Sequence, residues 1–147
     1  MMKTLFAGLA LIAVMTSCGG AMTITTYNAT LSGANEVPPV ATSSNTVATA
    51  TATLDASNNV LTVNGTYAYL SGQVKAQHIH AHGSTDASTS ANIVWTLTNT
   101  ATVAQGSFTG KFTLTDSQVL DLNNGRYYIN LETAQNPSGE VRGQLIK

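Results

Sequence analysis

The stretch "TVATATATLDASNNVLTVNGTY", residues 46–67, constrains this chain more than any other. Small or apolar residues alternate with threonine on both sides of a turn cluster, Asp55 to Asn59. A period of two places Ala48, Ala50, Ala52 and Leu54 on one face of an extended segment, and Val47, Thr49, Thr51 and Thr53 on the other. Leu61, Val63 and Tyr67 continue the apolar row after the turn. Two such runs joined by a short polar turn predict a β-hairpin with one buried face.

The same punctuation recurs along the chain. Strands are predicted near 27–31, 46–54, 60–67, 74–80, 93–98, 107–114, 127–132 and 140–146. About eight short strands with turn signals between them indicate one all-β domain, a Greek-key sandwich. In the seventh strand Tyr127, Ile129 and Leu131 oppose Tyr128 and Asn130, and in the fifth Ile93, Trp95 and Leu97 form the stronger apolar row. One segment departs from the pattern. "TDSQVLDLNNG", residues 115–125, places Asp116 as an N-cap before Val119, Leu120 and Leu122, with Asn124-Gly125 as a stop. It predicts one short helix over an end of the sandwich, with a binding loop as the alternative.

Charged residues make up only 9% of the 147, while 43% are hydrophobic. That composition is too apolar for disorder. A formal net charge of −1 leaves no basic footprint for nucleic acid. At the N-terminus, Lys3 precedes the apolar run "LFAGLALIAV", residues 5–14, which has the length of an export signal and is short for a membrane span. "MTSC", residues 15–18, resembles a bacterial lipobox, with Met15 where leucine is usual. The resemblance implies a leader over 1–17, lipidation of Cys18, a tether over 18–25 and the folded domain over 26–147. Cleavage by an ordinary signal peptidase nearby is the alternative. Cys18 is the sole cysteine, so the domain has no intrachain disulfide and no cysteine metal site. The protein is expected to be exported and anchored at the cell envelope, periplasmic or at the cell surface.

All three histidines lie in "KAQHIHAHG", residues 75–83. Alternation places His78, His80 and His82 on one strand face with Val74 and Ala76, and turns Ile79 to the core. Side chains two apart on a strand can converge on one ion, and two or three imidazoles with a carboxylate suit copper or zinc. Glu132 is the candidate carboxylate. The competing reading makes His78 a structural, hydrogen-bonded residue and leaves His80 and His82 at a solvated strand end. Arg142, inside a strand pattern, needs a carboxylate or several carbonyls if buried, and Glu36, Glu132 and Glu140 are the candidates. Pro38-Pro39 marks a rigid strand end, and Gly143 a close approach of another backbone. No Gly-x-Ser-x-Gly elbow, phosphate loop or Rossmann glycine pattern occurs.

Three motifs in order carry a family resemblance: "LSGANEVPPV" at 31–40, "AQHIHAHG" at 76–83 and "GRYYINLETAQNPSGEVRGQL" at 125–145. Together they resemble the CHRD (chordin) domain, of the type found in bacterial secreted lipoproteins. The resemblance implies a sandwich and a non-catalytic binding role, with an unknown protein or small-molecule ligand. The family pattern commonly has His-Thr where this chain has Glu132-Thr133. The His-x-His pair also resembles the copper-binding strand of Cu/Zn superoxide dismutases, which are eight-stranded sandwiches. Three histidines are too few for both dismutase sites and the disulfide pair is absent, so redox catalysis is not expected. A copper- or zinc-binding envelope protein is the alternative to the binding module, and a metal-dependent enzyme a third reading.

Overall fold

The structure is a computed structural model that describes residues 23–82, 88–100 and 103–147. The expected leader, Cys18 and most of the tether lie outside the described residues. Among the described residues, nine strands form two antiparallel sheets. The first sheet contains β1 (Ile24–Leu31), β2 (Val47–Asp55), β3 (Val60–Ala68), β6 (Thr98–Asn99) and β7 (Gly106–Thr113), in the order β1-β2-β3-β7-β6. The second contains β4 (Val74–Ala81), β5 (Asn92–Thr96), β8 (Tyr127–Thr133) and β9 (Val141–Gln144), in the order β5-β4-β8-β9. Pairing of β3 with β7 and of β4 with β8 skips over intervening strands, so the chain passes between sheets as a Greek key does rather than as a meander.

The alternating hairpin forms as its pattern requires. Leu54 pairs with Leu61 and Ala52 with Val63, and the whole row from Ala48 to Leu54 is buried. Across the interior, Trp95 stacks on Phe112 at 5.1 Å and meets the edge of Tyr127 at 5.4 Å. Removing this apolar surface from water is the main force holding the layers together, at about 25 cal/mol per Å2.

Three local expectations are revised. The predicted strand over 93–98 is two strands: β5 belongs to one sheet and β6 to the other, with buried Leu97 at the crossing and Ile93 54% exposed. A period-two pattern cannot register a chain that changes sheets midway. The helix α1 (Asp116–Asn123) is capped by Thr115, not Asp116. Thr115 accepts from the Gln118 backbone N–H, and the Gln118 side chain accepts from the Thr115 backbone N–H. This reciprocal pair satisfies two otherwise orphaned donors. Finally, Val74 does not share the histidine face. A register irregularity between Val74 and Ala76 returns Val74 to the core.

One edge of the sandwich is sewn shut. Asn28 and Ile146 exchange backbone hydrogen bonds of 2.7 and 3.0 Å, and Ser32 and Arg142 exchange bonds of 3.0 and 3.1 Å. They join β1 of the first sheet to the end of the second. Gly143 lies between them, and a β-carbon there would stand 2.6 Å from the Thr30 carbonyl oxygen. The expected close backbone approach at Gly143 is present. Gly143→Ala is therefore expected to destabilise the fold by about 1–3 kcal/mol, read as a lower urea midpoint at unchanged m-value.

Candidate functional site

The outer face of the second sheet is polar, partly covered and continuous across three strands. Cross-strand register fixes its rows: His80 faces Tyr128 and Tyr128 faces Gln144, while His78 faces Asn130 and Asn130 faces Arg142. Glu132 follows two residues after Asn130, opposite Ala76. Two segments lie over this face. One is the loop after β1, which begins with a 3-10 turn, Gly33–Asn35, and carries Glu36. Asn35 ties it down by donating its side-chain amide to the Arg142 carbonyl at 3.1 Å. The other is the segment 88–91. The Tyr128 hydroxyl accepts from the Ala91 N–H at 3.0 Å, the Ala91 carbonyl accepts from His80 Nδ1 at 2.8 Å, and the Thr89 carbonyl accepts from Arg142 at 3.1 Å.

Tyr128 is the centre of the arrangement. The His80 ring stacks on it at 4.7 Å, nearly parallel, and His82 is tilted against it at 5.0 Å. The Arg142 guanidinium carbon lies 3.6 Å from the ring centroid. A guanidinium over an aromatic face gains cation–π attraction, more so when desolvated, and Arg142 is only 2% exposed. Among the described residues it makes no ion pair with Glu36, Glu132 or Glu140. The Thr89 carbonyl, the His82 imidazole and the Tyr128 ring are among the groups that hold it. The sequence offered Glu36 or Glu132 as partner because an isolated strand pattern cannot show that a tyrosine on the neighbouring strand presents its face.

The three histidines take different partners. His78 Nδ1 meets Glu132 Oε1 at 2.9 Å. His80 bonds Ala91 through Nδ1 and approaches Asn130 Oδ1 at 3.3 Å through Nε2. Both neighbours are oxygen acceptors, so the protonated ring donates to both while a neutral ring donates to one and leaves its lone pair on the other nitrogen. Burial pushes the His80 pKa below its ordinary value, against the smaller opposing effects of its hydrogen bonds to Ala91 and Asn130. His82 follows the strand end and meets Arg142 at 2.7 Å. His80 and His82 are buried, not at a solvated end. One ligand atom each from His78, His80 and Glu132 lie within 4.8 Å of one another. His82 is not in that group.

Two buried carboxylates have opposite environments. Burial alone would raise the Glu140 pKa, but hydrogen bonds from Ser71, Thr133 and Asn136 outweigh it and hold the group below the ordinary range. Glu140 thus fastens the 71–72 loop to the β8–β9 turn, a structural role that its place in the pattern did not reveal. Glu36 is pushed up to about 7 by burial, with Glu132 adding to the shift and Arg142 and Asn130 opposing it. Its carboxyl packs on Gly139, whose φ of 132° and lack of a side chain leave the room. Glu36 Oε1 has no hydrogen-bond partner.

Fold, register and motif order define a β-sandwich of the CHRD class. The CHRD domain family model matches residues 27–145, and the chain belongs to that family. No curated protein and no solved structure matches it.

Glu36 yields a signed pH prediction. Its folded pKa lies above the unfolded value, so the folded state holds the extra proton between about pH 4.5 and 7, and stability falls as pH rises through that window. Glu36→Gln removes this titration. Denaturation at pH 5 and pH 8 is expected to show the variant more stable than the parent at pH 8, by up to about 3 kcal/mol, with a smaller difference at pH 5.

Proposed function

We propose that this CHRD chain is a non-catalytic binding module anchored at the cell envelope through lipid on Cys18, and that it binds a copper or zinc ion. The supporting observation is the gathering of His78, His80 and Glu132 on the half-covered outer face of β4 and β8. A tetrahedral ion with bonds of about 2.0–2.2 Å needs its ligand atoms about 3.3–3.6 Å apart. The 4.8 Å limit on the present spacing leaves at most about 1.5 Å to close. Rotation of His78 and Glu132, both only partly buried, is the expected route. His80 is oriented by its bond to the Ala91 carbonyl, the kind of outer partner that fixes the tautomer of a ligating imidazole. Glu132 holds His78 through Oε1 and has a second oxygen to offer. The ligand set is mixed nitrogen and oxygen, which suits zinc or copper rather than calcium or magnesium.

Calorimetric titration of the untagged protein in detergent is expected to show one site tighter than about 10 μM for Cu2+ or Zn2+. His80→Ala abolishes it, Glu132→Gln weakens it about tenfold or more, and His82→Ala leaves it unchanged. Absence of binding, or binding indifferent to His80→Ala, overturns the metal assignment. The anchor has its own test. Radioactive palmitate is expected to label the parent and not Cys18→Ser; equal label in both rules it out.

A further inference from the structure

Asn130 stands among the three residues grouped on the histidine face. It pairs with His78 across β4 and β8, precedes Glu132 by two residues on the same strand face, and sets its Oδ1 3.3 Å from His80 Nε2. We propose, resting on the ion assigned above to His78, His80 and Glu132, that Asn130 Oδ1 is its fourth ligand. The protein then closes the coordination shell, and the ion is structural.

The orientation of the amide carries the assignment. One end of the Asn130 side chain meets the Ser138 carbonyl at 3.3 Å, and the Glu36 carboxyl lies on the same side, both groups packed on Gly139. Acceptors at that end require the N–H2 group, so the oxygen is held at the other end, toward His80. A ligating imidazole is neutral. When its Nδ1–H is given to the Ala91 carbonyl at 2.8 Å, the shorter of its two contacts, the lone pair on Nε2 faces the lone pairs of Asn130 Oδ1. Two acceptors facing each other repel, and a cation shared by both removes the conflict.

Distance and access fit the same reading. The 3.3 Å between Nε2 and Oδ1 is already the ligand separation of a tetrahedral ion with bonds of about 2.0–2.2 Å. The side chains of His78 and Glu132 remain 14% and 20% exposed, so they supply both the other two ligands and the way in. The Ser138 carbonyl, bonded to the far end of the amide, orients the ligand oxygen as an outer partner does. Structural zinc sites are closed by four protein ligands, whereas catalytic ones keep a position for water. Two imidazoles, a carboxylate and an amide oxygen fill all four. An ion so held pins β4 to β8 and leaves no place for a substrate.

The test loads the EDTA-stripped protein in detergent with Co2+, an optical stand-in for zinc. Strong visible bands of a four-coordinate ion are expected, unchanged by azide, because no position is open to it. Asn130→Ala is expected to weaken Zn2+ binding about tenfold or more by calorimetry and to make the Co2+ bands shift with azide. Asn130→Asp keeps an oxygen at the position and is expected to restore both tight binding and indifference to azide. Both variants are checked for an unchanged circular dichroism spectrum. A role in packing alone would lower stability without opening a coordination position. Azide-sensitive bands in the parent, or parental Zn2+ affinity in Asn130→Ala, overturn the fourth ligand and leave the ion at His78, His80 and Glu132 standing. A parent that binds neither Co2+ nor Zn2+ overturns the ion, and the fourth ligand with it. If Asn130→Ala does not fold, the azide response of the parent decides.

Discussion

The backbone seam between β1 and β9 is the constraint on which the rest of the structure depends. Two sheets stacked face to face do not by themselves fix what lies over their outer surfaces. The paired bonds between Asn28 and Ile146 and between Ser32 and Arg142 join the sheets along one edge. They carry the chain that leaves β1 directly onto the outer face of β9, which is how Glu36 comes to lie near Arg142 and Glu132. Only a glycine at position 143 leaves room for this approach.

Burial of charge on that face follows from the seam. Arg142 leaves water against the Thr89 carbonyl, the His82 imidazole and the face of Tyr128. Glu36 leaves water with fewer partners, and its raised pKa is the electrostatic consequence. Glu140, equally buried, is surrounded by donors and titrates the other way. Two glutamates of one small domain thus differ because one is ringed by N–H and O–H groups and the other faces a glycine.

The histidine face shows how far a periodic pattern reaches. Alternation correctly separates His78 and His80 from core-facing Ile79, and it places Asn130 and Tyr128 opposite Ile129. It cannot see that His82 leaves the strand and turns to Arg142, nor that the 88–91 segment folds back over the rings. Those contacts join residues dozens of positions apart, and no local spacing encodes them.

The amino-acid sequence alone determined the two-layer architecture, because a period of two in a chain of low charge leaves each strand one face to bury. It also determined the hairpin at 55–59, the short helix and the close approach at Gly143, each a matter of local backbone chemistry. Tertiary structure alone decided which sheet each half of 93–98 joins, which histidines gather with Glu132, and what holds Arg142. These depend on register and on loops crossing a sheet, where the energy resides in contacts between segments that are strangers in sequence.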